Sequence, residues 1–149
     1  MDISVSELGH GVKRLQARHH RAATEALRPL GVTLVQWDAL RHLEEHPGAS
    51  LHDLAELTFQ TDQAFGALST RLETRGLIRR IGAGRAIRPE LTSEGARVLA
   101  EGRVVTEEVV RESFNPLTPD ERALFGQMLR RLISSDPQAT FEAVRVLPV

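Results

Sequence analysis

TFQTDQAFGALSTRLETRGLIRR, residues 58–80, combines three local signals in one short segment. Phe65, Leu68 and Leu72 recur at the i, i+3, i+7 spacing of a single buried helical face. Thr61, Asp62 and Gln63 put polar side chains at the front of that helix. Gly76 then supplies the residue that best tolerates a left-handed cap, so the helix is predicted to end there. Leu77 to Ile81 follow as a short basic strand, with Ile78 and Ile81 as candidate anchors. A polar-fronted helix, a glycine stop and an arginine-bearing strand therefore succeed one another.

The chain on either side is ordinary globular material. It has 149 residues, 41% hydrophobic and 26% charged, which is enough for one compact unit with a core. It contains no cysteine, which excludes disulfides and thiolate metal sites. No apolar run approaches the roughly 18 residues of a membrane span. The polar N-terminal stretch MDISVSELGHGVKRL lacks the apolar block of a signal peptide, so the cytoplasm is the default compartment and no membrane partner is expected. The formal net charge is −1, but it is unevenly spread. Between Thr61 and Arg97 there are seven arginines against four acidic residues, so positive charge gathers around the polar-fronted helix.

Working outward, Val5, Leu8, Val12, Leu15, His19, Ala22 and Ala26 step by three and four within a helix predicted over 4–28. A seam that long is hard to bury within so small a chain, and a second subunit is the simplest cover. Gly9 and Gly11 weaken its first turns and favour a later start. Pro29 and Gly31 break it. Thr33 with Gln36 forms a capping box for a second helix, with Val35, Trp37, Leu40 and Leu43 expected inward, closed by His46-Pro47-Gly48. Ser50 to Asp53 starts a short helix whose inward positions are Leu51, Leu54, Ala55 and Leu57. After the basic strand, Gly82, Ala83 and Gly84 make a flexible tip, and Arg85 to Leu91 reads as the return strand, confined to an edge by Pro89. Thr92 can cap a helix running to about Ser113, with Val98, Val105 and Val109 on its apolar face. Thr118-Pro119-Asp120-Glu121 starts a last helix carrying Leu124 to Ile133, followed by a short mixed tail from Asp136.

These elements predict a mainly α fold with a small β-wing, a winged helix-turn-helix. The expected organisation is a helix over 1–30 for dimerisation, a DNA-binding region over 31–92, and helices and tail over 93–149. Within the middle region the reading helix covers about 61–75 and the wing about 77–91.

Four fragments carry a family resemblance: LGVTLVQWDALRHLEEHPGASLHDLAEL, RLETRGLIRR, ELTSEGARVL and LTPDERALFGQMLRRL. In this order and spacing, from about Leu30 to Ile133, the chain resembles the MarR (multiple antibiotic resistance regulator) family of transcription factors. The resemblance implies a homodimer held by the first and last helices, binding a pseudo-palindromic double-stranded operator and repressing nearby genes. It also implies release by a small, often aromatic, anionic ligand held between two lobes. Family members usually have a reading-helix front rich in Ser, Thr and Arg; here it is Thr61, Asp62, Gln63, Ala64, with no basic residue before Arg71. That plainness leaves an alternative: a dimeric winged-helix ligand-binding or protein-interaction module with weak non-specific DNA affinity.

Candidate DNA contacts are Thr61, Asp62, Gln63, Arg71, Arg85 and Arg88. Gln63 can pair bidentately with adenine. Thr61 can bond a base edge or a phosphate, or serve as the helix cap. Asp62 can accept from cytosine, or counter the helix dipole. Arg85 and Arg88 suit a narrow minor groove, and Arg71 suits phosphate or a neighbouring Glu. For a ligand, His19 on the first seam and Trp37 are candidates, each weighed against a packing role. His42 and His46, four apart, have metal-ligand spacing, but no third ligand is suggested, so no metal or other cofactor is expected and a solvated helix face is the plainer reading. No nucleophile-base order, phosphate loop or converging carboxylate pair suggests an enzyme.

Overall fold

A computed structural model describes residues 2–135; the mixed tail from Asp136 lies outside the described residues. The order is α1 (Val5–Leu27), a 3-10 turn (Arg28–Leu30), α2 (Leu34–Glu45), α3 (Leu51–Leu57), α4 (Asp62–Thr74), β1 (Ile78–Ile81), a 3-10 turn (Gly84–Ala86), β2 (Arg88–Leu91), α5 (Ser93–Phe114) and α6 (Pro119–Ser134). Among the described residues the fold is therefore mainly α with one two-stranded antiparallel sheet, as expected. Two compact units are distinguished, one ending at Val110 and the other beginning at Arg111.

Helix starts follow the capping spacing. Ser4–Glu7, Thr33–Gln36, Ser50–Asp53 and Thr118–Glu121 each form a reciprocal capping box. The Ser4 box corrects the late start expected for α1. Glu7 accepts from both the Ser4 backbone N–H and its hydroxyl, and this offsets what Gly9 and Gly11 cost the first turns.

In the first unit the core gathers Leu27, Val32 and Trp37 with Leu40, Leu54, Phe65, Leu72, Leu77, Ile78, Val98 and Leu99. The α4 face of Phe65, Leu68 and Leu72 is buried as the spacing required. Two expected core positions are instead exposed. Val35 is 48% exposed, because it lies two residues from Trp37, about 200° around the helix. Ile81 is 49% exposed while Ile78 is buried, since residues three apart on a strand face opposite sides. Leu51 and Leu57 are only half-buried at the edge of the core.

The wing is shorter on its return side than expected. β1 pairs with β2 from Ile78 opposite Leu91 to Ile81 opposite Arg88. Gly84, Arg85 and Ala86 form a tight turn, with the Ile87 N–H donating to the Gly84 carbonyl, so Arg85 stands on the tip and the return strand begins at Arg88. Gly82, at φ +96°, admits this turn; a Cβ there would lie 2.7 Å from the Ala86 carbonyl oxygen.

One threonine joins α4, the wing and α5. The Thr92 hydroxyl donates to the Gly76 carbonyl at 2.6 Å and accepts from the Gly95 N–H at 3.0 Å. Gly76 holds the left-handed conformation expected of it, at φ +72°. Gly95 then packs directly against the Leu77 carbonyl, which a Cβ would overlap. Further along α5, Gly102 leaves room for Trp37, whose indole N–H donates to the Leu99 carbonyl at 3.2 Å.

In the second unit the Phe114 and Phe125 rings meet at 5.7 Å between centroids, joining the end of α5 to α6.

Glycine-to-alanine changes should split in sign by environment. A Cβ at Gly102 would overlap the Trp37 ring, so Gly102→Ala should destabilise by about 1–3 kcal/mol despite alanine's better helix propensity. Gly9 and Gly11 in α1 have nothing within 4 Å, so alanine there should stabilise by about 0.5–1 kcal/mol each. Urea unfolding of the three variants against the parent measures both signs.

Candidate nucleic-acid interface

The front of α4 is set by Thr61, whose hydroxyl accepts the Ala64 N–H at 3.1 Å as the N-cap. That bond uses one acceptor position of Thr61 and leaves its O–H able to donate outward. Thr61, Asp62, Gln63, Ala64 and Ala67 are exposed while Phe65 and Leu68 hold the helix to the core. Polar side chains on the first turn are therefore presented on a helix whose opposite face is fixed by packing. Arg71 lies two turns further along and is exposed.

The wing supplies the second element. Glu73 on α4 accepts from the Arg80 backbone N–H at 3.0 Å and from its guanidinium at 2.9 Å, and Arg80 also reaches the Thr70 hydroxyl at 3.3 Å. Strand β1 is thereby clamped to α4. The Arg80 guanidinium and backbone N–H together hold the Glu73 carboxyl below its ordinary value. Arg79 and Arg85 are exposed, and with Arg71 and Arg75 they have no carboxylate partner among the described residues. Arg88, the first residue of the return strand and opposite Ile81, lies in the field of Asp53 on α3. The Ile87 carbonyl accepts from the Leu51 N–H at 3.4 Å, so the wing is also tied to the start of α3.

Thr61, Asp62 and Gln63 thus share one helical turn, and Arg85 and Arg88 share the wing. Asp62 has a partner that sequence reasoning missed: the His52 ring on α3, with Nδ1 2.9 Å from the Asp62 carboxylate. The two residues are ten apart across a turn, so no helical or strand period links them. Glu73 and Arg80 were missed for the same reason.

The ligand candidates separate in character. Trp37 is buried at 8% exposure, with its indole N–H bonded to the Leu99 carbonyl. His19 is half-buried on α1. The solvated face expected at His42 is not found: its ring is buried at 3% exposure, with Nδ1 2.8 Å from the Asp38 carbonyl, and it stacks on His46. Among the described residues no three His, Asp or Glu side chains gather in a metal-binding group.

A family model for the MarR family matches residues 30–86. The HTH-type transcriptional repressor Rv2887 of Mycobacterium tuberculosis is 30% identical over 128 residues, covering 84% of this chain and 92% of the relative. The transcriptional regulator HosA of Escherichia coli is 28% identical over 129 residues, covering 85% of this chain and 94% of its own length. The solved structure of Rv2887 in complex with DNA matches with a TM-score of 0.74 at 27% identity, over 88% of this chain and 98% of that one. Its structure with salicylic acid matches with a TM-score of 0.69 at 28% identity, over 88% and 97%. The chain belongs to the MarR family.

Because the folded-state Glu73 carboxyl sits below its ordinary value of 4.5, its contribution to stability is fully present above that pH and is lost as pH falls through the folded value. Chemical denaturation of the parent and Glu73→Gln should therefore show the parent more stable near neutrality. The gap should close progressively below 4.5.

Proposed function

We propose that this chain is a DNA-binding transcriptional regulator, working as a homodimeric repressor of nearby genes and released by a small-molecule ligand. The observation that carries the reading is the exposed first turn of α4, flanked by arginines without carboxylate partners among the described residues. Membership of the MarR family, with a relative whose structure was solved on DNA, supports it.

In this mechanism two α4 helices from two copies enter successive major grooves of a pseudo-palindromic operator, one helical turn apart. Gln63 pairs with adenine through its amide, and the Thr61 hydroxyl donates to a base edge or phosphate while its oxygen caps the helix. Arg71 meets phosphate. Arg85 on the wing tip and Arg88, where the return strand leaves the tip, serve the minor groove and its backbone. The second copy covers the apolar stripe of α1, where Val5, Leu8 and Val12 are exposed, together with Leu124, Met128, Leu132 and Ile133 of α6. The organisation is then a dimerisation helix over 1–30, a reading region over 31–92 and a second dimerisation region over 93–149.

Rv2887 with salicylic acid makes an aromatic anion the favoured chemical class of ligand, and His19 is the side chain we assign to it. Such a ligand represses DNA binding only by favouring a conformation that does not bind DNA. The reading gives the chain no catalytic step. A DNA partner makes the cytoplasm the expected compartment, and no described helix is long and apolar enough to cross a membrane.

The alternative, a dimeric ligand-binding or interaction module with weak non-specific DNA affinity, draws on the front of α4. Asp62 carries negative charge there and no basic residue precedes Arg71 on the helix.

Single substitutions separate the two. Gln63→Ala should relax sequence preference, costing about 1–3 kcal/mol on the preferred site and little on random duplex. Arg85→Ala should weaken binding to all sequences and reduce the salt slope by about one. Anisotropy titrations on both duplexes measure this, and equal losses on both for Gln63→Ala would contradict its role in base reading.

A further inference from the structure

Asp62 is an awkward residue for the front of a helix that approaches phosphates, since its carboxylate repels them. The structure supplies a partner from a different helix. His52 Nδ1 on α3 lies 2.9 Å from the Asp62 carboxylate, and its Nε2 lies 3.5 Å from Glu56 one turn along α3. Both His52 and Asp62 are well exposed, with side chains 62% and 69% accessible, so neither is needed to fill the core. Asp53, next to His52 on α3, also acts on the ring; its carboxylate is engaged by the Ser50 backbone N–H and lies in the field of Arg88, the first residue of β2. Three carboxylates, Asp62, Glu56 and Asp53, thus act on the His52 ring, and its protonation places a cation among them.

We propose that protonated His52 is a positioning residue of the reading surface: it neutralises and orients Asp62 beside the DNA, so that operator binding takes up a proton. This rests on the DNA-binding reading above and adds regulation to the same surface. In the complex the His52 Nδ1–H donates to one Asp62 oxygen, and the other oxygen remains available to a cytosine amino group. The Nε2–H, on the far side of the ring, can turn from Glu56 towards a phosphate. A neutral imidazole can donate from only one nitrogen and so cannot do both.

The direction of the pH effect follows from the charges. Asp62, by its hydrogen bond and its charge, and then Glu56, already raise His52 above its ordinary value of 6.5. Nearby phosphates raise it further in the complex. The bound state therefore holds its proton to higher pH than the free protein does. Affinity must fall as pH rises through the window above 6.5, and it must level off at lower pH, where His52 is charged in both states.

The test is an anisotropy titration of the intact protein on DNA flanking its own gene, with excess random duplex and constant ionic strength, from about pH 6 to about pH 8.5. The parent should lose affinity by roughly three- to tenfold across that range. His52→Gln keeps a hydrogen-bond donor for Asp62 but cannot be charged. It should bind with a flat profile, at the weaker, high-pH level of the parent. A parent profile without slope, or a slope that survives in His52→Gln, would overturn the proton linkage while leaving the regulator reading intact. Absence of any segment that outcompetes random duplex at any pH would overturn both. A second measurement needs no DNA. The His52 ring titration followed by NMR should move to lower pH in Asp62→Asn, and an unchanged titration would overturn the coupling.

Discussion

The proposed reading surface depends on the reversal of the chain at Gly76. Helix α4 must stop there, the wing must begin at once, and α5 must return close enough to hold both. Gly76 accepts the left-handed conformation, Thr92 bonds its carbonyl and the Gly95 N–H with one hydroxyl, and Gly95 lets α5 close on Leu77. A side chain at Gly95 would move α5 off the root of the wing. The arginine tip would then lose its fixed relation to the first turn of α4. Shape at this junction, more than total charge, is what gives the surface its geometry.

Around that junction the fold divides the work among its polar side chains. Glu73 and Arg80 neutralise each other and serve as a clamp between helix and strand. Arg41 is occupied by Asp38 and Glu45, and Arg97 by Glu94 and Glu101, so these arginines stabilise helices and have no charge to offer a partner. Arg71, Arg75, Arg79 and Arg85 are left without carboxylates among the described residues. A net charge of −1 is thus compatible with a locally positive face, because Arg41 and Arg97 are matched by acids of their own helices while the arginines of α4 and the wing are not.

The parts legible in the sequence were those governed by short-range spacing. The capping boxes at Thr33, Ser50 and Thr118, the buried face of Phe65, Leu68 and Leu72, and the stop at Gly76 are all set within one or two helical turns. What spacing could not show were pairings made by the tertiary fold. His52 meets Asp62 across the turn between two helices, Arg80 meets Glu73 across the helix-strand reversal, and Trp37 donates to a carbonyl on α5. The tight turn at Gly84 to Ala86 displaced Arg85 from the expected strand to the tip of the wing. Ile81 failed as an anchor on a point the sequence did contain, since a strand has period two and Ile78 was already inward.

In the proposed mechanism the exposed turn of α4, together with the wing, reads a specific DNA sequence. This is tested most directly by anisotropy binding of the purified protein to DNA flanking its own gene, at two salt concentrations and with excess random duplex. One flanking segment should retain tight binding over competitor at the higher salt. Binding that disappears equally for all sequences as salt rises would reduce the interaction to phosphate attraction and contradict the claim.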